Sequence, residues 1–364
     1  MTTYFQFLGW HGCVPTSPAI SRSVRPDGRT RLAEELNMCR DHLGAPEGFQ
    51  HQPVLCAEVA SLFSTGSGLL VDATFGGGGH SKAIFEQNPN LSVLGLDRDR
   101  SAVLAGETVS LPLDRFMLRL SEFADIAQAV HDARDAGFVG AETPVIGVLA
   151  DLGVSSPQID TPERGFSYQR SGPLDMRMGS TGRTARELID ELDAGELADI
   201  LWRFGDEKFS RRIARSIKDA GSIQTTGQLA DIVEGAVPGA ARKRRGHPAA
   251  RTFQALRIAV NDELGQLEAL LDAAWETLAV GGRFAVISYH SLEDRLVKRA
   301  FRSWTQTAGT GRGPERLLPN QTSMPPAKSL GTWSPGPDEL TVNPRSRSAR
   351  LRAIERQCEE SSNE

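Results

Sequence analysis

The chain has 364 residues, a formal net charge of −5, 39% hydrophobic residues and 24% charged residues. That length suggests about two domains, and the composition supports a sizeable buried core rather than wholesale disorder. No run of about 18 apolar residues occurs, which excludes a transmembrane helix, and the acidic balance excludes a globally basic nucleic-acid coat protein.

Cys13, Cys39, Cys56 and Cys358 form no CxxC pair. Their spacing argues against a disulfide framework or a structural zinc site, suits a reducing cytosol, and leaves no metal site to propose. The N-terminus does not read as a secretory leader, because its short apolar piece is broken by Gln6 and His11 and follows no basic region. Residues 1–46 mix Gly, Pro, Ser and Arg with little periodicity and read as a mostly disordered extension, with Met38 as an alternative start.

From His51-Gln52-Pro53-Val54-Leu55 onward, an amphipathic helix is followed by short apolar strands alternating with helices, the pattern of a parallel α/β sheet. Strands are predicted at Leu69–Ala73, Ser92–Leu96, Phe116–Leu120, Val145–Ala150 and Arg283–Ser288. About 130 residues separate the last two, far more than an ordinary crossover, so a helical subdomain is predicted at 158–262. Its helices are read at Ala185–Phe204, Glu207–Ala220 and Thr226–Val237, with one long helix from about Ala249 to Leu278 leading back to the sheet. Residues 305–340 hold five Gly and six Pro and read as a flexible loop. Ser348–Ile354 is strand-like and suits an antiparallel sheet edge, and 356–364 is a tail.

Four segments carry chemistry. Asp72-Ala73-Thr74-Phe75-Gly76-Gly77-Gly78-Gly79-His80-Ser81 runs from a strand through a glycine turn into a helix. Such a turn lets backbone N–H groups approach a nucleotide-like ligand, although it is neither a full G-x-G-x-x-G nor a P-loop and equally describes a flexible turn. Asp97, 25 residues after Asp72, ends the second strand where adenosine-cofactor folds place an acid on the ribose hydroxyls. Asp97 read alone serves equally as a strand terminator or helix cap. Together the two features favour an adenosine cofactor, with NAD and S-adenosylmethionine both open.

Asp151-Leu152-Gly153-Val154-Ser155-Ser156-Pro157-Gln158 follows the fourth strand at the same edge. Its small-polar-Pro turn resembles the loop of amino-group methyltransferases, where acceptors hold the N–H groups of an exocyclic amine and aim its lone pair. A plain Pro-marked turn with Ser caps is the other reading. Val286-Ile287-Ser288-Tyr289-His290-Ser291-Leu292-Glu293-Asp294 follows the fifth strand and also reads as a helix start. Tyr289 and His290 could contact a flipped base there, or His290 could be a hydrogen-bonded structural group. Two basic clusters complete the set. Residues 241–260 hold six cations and no acid, including Arg242, Lys243, Arg244 and Arg245; residues 342–357 hold five cations, including Arg345 and Arg347, against one acid. They suit phosphate contacts or a solvated face.

Taken in order, these segments are very similar to the small-subunit ribosomal RNA (cytosine-N4)-methyltransferase family, known as RsmH or MraW. The resemblance extends through Glu163-Arg164-Gly165-Phe166-Ser167, Gly172–Met178, His247-Pro248-Ala249, Arg251–Ile258 and Asn343–Ala349, covering about residues 50–355. It implies a class I S-adenosylmethionine-dependent methyltransferase: a Rossmann-like α/β fold, mostly parallel with an antiparallel edge strand, at 47–157 and 263–355. The insertion at 158–262 would recognise substrate. The implied reaction is methyl transfer to N4 of a cytidine in the decoding region of 16S rRNA, on a ribosomal particle in the cytoplasm, with no membrane partner and a homodimer compatible with the reading. Family cofactor contacts fall on Gly78, Gly79, His80, Asp97, Phe123, Asp151 and Gln158. Asp151, Ser155, Ser156, Pro157 and His290 would surround the target amine, and Arg242, Lys243, Arg244, Arg245, Arg345 and Arg347 the RNA. Tyr289 stands where the family usually has Phe. Two other readings are a nicotinamide-dependent dehydrogenase, disfavoured by the altered glycine pattern, and a non-catalytic rRNA-binding assembly factor.

Overall fold

The structure, a computed structural model, describes residues 53–109, 111–242, 246–306 and 324–357. The N-terminal extension, Lys243, Arg244, Arg245 and the end of the tail lie outside these residues. In chain order, α1 (Cys56–Leu62) leads to β1 (Gly68–Asp72), α2 (Gly79–Gln87), β2 (Leu91–Asp97), α3 (Arg100–Gly106), β3 (Phe116–Leu120), α4 (Ile126–Asp135) and β4 (Val145–Asp151). Eight helices follow before the next strand: α5 (Ser156–Asp160), α6 (Ala185–Glu191), α7 (Ala194–Gly205), α8 (Ser210–Asp219), α9 (Thr226–Ala236), α10 (Gly239–Arg242), α11 (Ala250–Asn261) and α12 (Glu263–Thr277). Then come β5 (Arg283–Ser288), α13 (Ser291–Thr305), β6 (Ala327–Trp333), α14 (Pro337–Val342) and β7 (Arg350–Arg356).

The seven strands are ordered β3-β2-β1-β4-β5-β7-β6, parallel from β3 to β5, with β7 antiparallel to both its neighbours. Strand order reverses between β1 and β4, which opens a crevice at their carboxyl ends where such sheets bind ligands. The strands read as unbroken apolar runs because helices cover both faces. Leu69 and Val71 of β1 and Val148 of β4 face the core beneath α4, α12 and α13, whereas Leu70 and Leu149 face the core beneath α1 and α2.

Helices α6 to α9 and α11 bury a third core of their own, including Leu188, Leu197, Leu201, Ile213, Ile217, Leu229, Val233 and Phe253. Capping decides their ends. The continuous apolar spacing over Ala185–Phe204 splits into two helices because Asp193 caps α7, accepting from Gly195 N and Glu196 N at 2.7 and 2.8 Å. The single helix expected over Ala249–Leu278 is likewise two, broken at Asp262 in the left-handed region (φ 46°). Apolar periodicity runs through both breaks, so only the backbone reveals them.

Of the 305–340 stretch expected to be loop, residues 307–323 lie outside the described residues, and the described remainder holds β6 and the start of α14. Its Pro and Gly content hid a strand whose partner, β7, lies close in sequence. β7 is antiparallel as expected of Ser348–Ile354, and sits one place in from the edge, which β6 forms.

Candidate active site

The glycine turn follows β1 directly. Asp72, at the strand's end, is buried and accepts from Ser81 Oγ at 2.7 Å, tying the strand to the first turn of α2. Burial raises its carboxyl above the ordinary value, with the Ser81 bond opposing. Gly76 (φ 53°) and Gly78 (φ 71°) hold the left-handed conformation that only glycine adopts without strain. A Cβ on Gly78 would meet the Phe75 ring at 2.5 Å and one on Gly79 would meet Pro53 at 2.6 Å, so these two glycines are required by the protein's own packing. Gly77 faces open space instead, and a Cβ there would meet nothing within 4 Å.

Asp97, at the end of β2, accepts from Gly76 N at 2.8 Å and Asp99 N at 2.7 Å. Its carboxylate therefore bridges the turns after β1 and β2. Burial pushes its pKa up to about 6 against those two bonds, so a carboxylate is held in a desolvated cradle where few donors reach it.

Asp151 ends β4 at the same edge. Its backbone N–H donates to Thr74 Oγ1 at 2.6 Å, and its side chain lies between two rings. Tyr289 donates its hydroxyl to Asp151 Oδ1 at 2.8 Å, while His80 Nε2 lies 3.4 Å from Oδ2 without hydrogen-bond geometry. Both His80 ring nitrogens are buried without hydrogen-bond partners, which marks a polar ring poised for a ligand or water. Burial and then the Asp151 charge hold the Tyr289 phenol far above its ordinary value, so it remains a donor.

The Ser155-Ser156-Pro157 turn starts α5. Ser155 Oγ accepts from Gln158 N at 3.4 Å and Ser155 N donates to Gln158 Oε1 at 2.9 Å, a reciprocal cap. Gln158 Nε2 then donates to Asp99 Oδ2 at 2.8 Å, so its amide is engaged on both sides and builds the wall of the site. Asp99 also takes Arg164 Nη1 at 2.7 Å, and Arg164 Nη2 donates to the Met178 carbonyl at 2.8 Å. Asn261, buried at the end of α11, completes the clamp: it donates to the Met176 carbonyl at 2.8 Å and accepts from Met178 N at 2.7 Å. The Gly172–Met178 segment is thus fastened to the edge that carries Asp97 and Asp151. Phe123 packs half-buried against the core on the same side as α12.

His290 is the N-cap of α13 rather than a ring facing the crevice freely. Its Nδ1 accepts from Glu293 N at 3.4 Å, and Nε2 lies 3.1 Å from Glu293 Oε1. Burial raises the Glu293 carboxyl, but His290 and Arg257 outweigh it and leave it below its ordinary value. Glu263, His290 and Glu293 approach within metal-ligand spacing, yet Arg257 occupies both Glu263 oxygens at 2.7 Å and balances the charge.

The basic clusters are partly spent internally. Arg345 makes a bidentate pair with Asp160 at 2.8 and 3.0 Å, and Arg352 pairs with Asp294, so the expected phosphate role of Arg345 competes with an intramolecular one. Arg347 is exposed, with no ion pair among the described residues. The side chain of Arg242 and the neighbouring Lys243, Arg244 and Arg245 lie outside the described residues. A further cationic row lies outside both clusters: Arg295, Lys298, Arg299 and Arg302 are exposed along α13, which follows directly on Tyr289 and its N-cap His290. Its signal in the sequence is cations at i, i+3, i+4 and i+7. The Tyr289–Asp151 bond and the Asn261 clamp have no such signal, since their partners lie 138 and 83 or more residues apart.

The residues present fit S-adenosylmethionine. Asp97 offers a desolvated carboxylate to ribose hydroxyls, Gly77 leaves room beside the backbone, and His80 and Asp151 supply polar groups at the same sheet edge.

The MraW methylase family matches residues 48–357. A protein named ribosomal RNA small subunit methyltransferase H from Synechococcus elongatus is 43% identical over 318 residues, covering 87% of this chain and 98% of that protein. Proteins of the same name from Anaeromyxobacter sp. (strain K) and Methylobacterium sp. (strain 4-46) are each 45% identical, covering 85% of this chain and 98% and 91% of theirs. A match over most of the chain, together with close relatives aligned nearly end to end, shows that this protein belongs to the MraW methylase family.

Proposed function

We propose that the protein methylates the exocyclic N4 of a cytidine in the decoding region of small-subunit (16S) rRNA, within the ribosomal small subunit in the cytoplasm, using S-adenosylmethionine. The name shared by its relatives supports the substrate. The observation that carries the chemistry is Asp151, an acceptor carboxylate held between the Tyr289 hydroxyl and the His80 ring at the edge where Asp97 and the glycine turn meet.

When bound, the cofactor supplies an electrophilic sulfonium methyl. The chain's own task is then positioning. A cytosine amine is a poor nucleophile because its lone pair is delocalised into the ring. Asp151, oriented by Tyr289, accepts an N4–H bond and favours a pyramidal nitrogen whose lone pair is free to attack. The Ser155-Ser156-Pro157 turn, rigidified by its reciprocal cap, sets the wall against which the base lies. Alignment of two reactants is worth many kcal/mol, up to about 7–11 in well-oriented cases. After transfer the nitrogen is strongly acidic, so its proton leaves readily to Asp151, with His80 at the carboxylate's other oxygen. The α13 cations support placing RNA phosphates beside the site.

The test is methyl transfer from labelled cofactor to small subunits lacking the modification, with free 16S rRNA in parallel, followed by nucleoside mass spectrometry. N4-methylcytidine formed on the particle is expected. A methyl on another atom would overturn the Asp151 assignment.

A further inference from the structure

Resting on the RNA-methylating reading, we infer that the cleft between α7 and α8 is a second RNA-contact site: an unpaired base stacks on Trp202 while neighbouring phosphates meet Lys208, Arg211 and Arg212. The cleft encloses about 450 Å³ and is lined by these four residues, with Asp199, Phe209 and Ser210.

Trp202 is 55% exposed, although large aromatics normally bury most of their surface. Among the described residues no ring stacks on it and no guanidinium lies over it, whereas neighbouring Arg203 lies over Phe204 at 5.7 Å. An indole face is therefore left open in a cleft rather than on a convex surface.

The charges around it are placed against their own local preference. Arg211 and Arg212 sit in the first turn of α8, which has no acid there, at the end of the helix dipole that disfavours cations. A solvated face chosen only for stability would put acids at that end. The acids close by offset the cations only in part: Asp199 is the one carboxylate in the lining against three cations, exposed Asp206 lies outside the lining, and Glu207 is buried with its Oε1 accepting from Phe209 N at 2.9 Å. Among the described residues Lys208, Arg211 and Arg212 form no ion pair.

An aromatic platform beside cations that track a backbone is the combination that holds single-stranded nucleic acid. A protein partner would be served by apolar area, and the cleft offers Trp202 and the half-buried Phe209 among three cations. Its place in the fold sets which nucleotide it takes. Gly205, three residues beyond Trp202, packs so closely on α11 that a Cβ would lie 2.6 Å from the Arg251 carbonyl. α11 then runs to Asn261, whose carbonyl accepts from Arg98 next to Asp97. Those ten residues of helix span about 15 Å. The cleft therefore grips RNA beyond the target cytidine and leaves the target to Asp151.

The test uses the full-length protein, a fluorescein-labelled single-stranded RNA dodecamer, and unmodified small subunits. Trp202→Ala is expected to weaken dodecamer binding about 5- to 150-fold, the equivalent of one lost base stack, and to raise KM for the particle. Trp202→Phe should restore most of the loss, since it keeps a π-face. Replacing Lys208, Arg211 and Arg212 together with Gln should reduce the salt-dependence slope by about 2, as expected for three single-strand phosphate contacts. Cofactor affinity by calorimetry and thermal melting should match wild type in every variant. Trp202→Ala binding RNA as wild type does, with an unchanged KM, would overturn the inference. A higher KM for the particle with unaltered dodecamer binding would also overturn it, by showing a protein contact. Wild-type protein that neither methylates the particle nor binds RNA would instead defeat the functional reading.

Discussion

Asp97 must satisfy two opposed demands, and their conflict is measurable. Its carboxyl has a folded-state pKa of about 6 against an ordinary value of 3.8. Between those values the folded protein binds more protons than the unfolded chain, so stability falls as pH rises through that window. The full penalty is on the order of 3 kcal/mol, at about 1.4 kcal/mol for each tenfold change in proton affinity, and roughly a third to a half of it accrues between pH 5 and 7.5. Cofactor binding runs the other way, because ribose hydroxyls donate to the ionised form. Affinity should therefore be flat above about pH 6 and fall towards tenfold per pH unit below it. Asp97→Asn removes the titrating group. In urea unfolding without cofactor, the wild-type stability difference between pH 5 and 7.5 should exceed that of the variant by on the order of 1 kcal/mol in the direction of loss at high pH. By calorimetry the variant should bind S-adenosylmethionine at least about tenfold more weakly at pH 7.5, the scale of a lost charge-assisted bond. Binding by the variant within threefold of wild type, or a stability difference between the two pH values equal to that of wild type, would refute these roles for Asp97.

Gly77→Ala and Gly78→Ala separate ligand space from packing space: Gly78→Ala should lower urea stability by about 1–3 kcal/mol through its positive φ and the Phe75 clash. Gly77→Ala should leave stability without cofactor within about 1 kcal/mol but weaken cofactor binding, and equal binding would remove the turn from the site. Tyr289→Phe should lower kcat about tenfold, the scale of one hydrogen bond to a charged group, with cofactor Kd unchanged; a changed Kd with normal kcat would place the hydroxyl on the cofactor instead. Asn261→Ala strips the buried partners of Met178 N and the Met176 carbonyl and should cost about 2–4 kcal/mol in chemical unfolding, while a loss under 1 kcal/mol would mean the Gly172–Met178 segment is held elsewhere.

The five parallel strands were legible because a strand covered by helices on both faces must be apolar along its whole length, and β3 and β5 occur at the residues the pattern marks. The glycine turn and Asp97 were legible because both sit directly after such strands, where chain order alone places them at one edge. Helix breaks at Asp193 and Asp262 were not, since apolar spacing is indifferent to a one-residue change of backbone. β6 was concealed because its stretch is rich in Gly and Pro and its stability comes from pairing with β7. Tertiary structure alone decided which distant partners the polar residues keep: Gln158 on Asp99, Arg345 on Asp160, Tyr289 on Asp151. Periodicity and strand order are local properties that each residue carries in its own side chain. A hydrogen bond between residues 138 apart depends on how whole layers pack, and no local pattern encodes it.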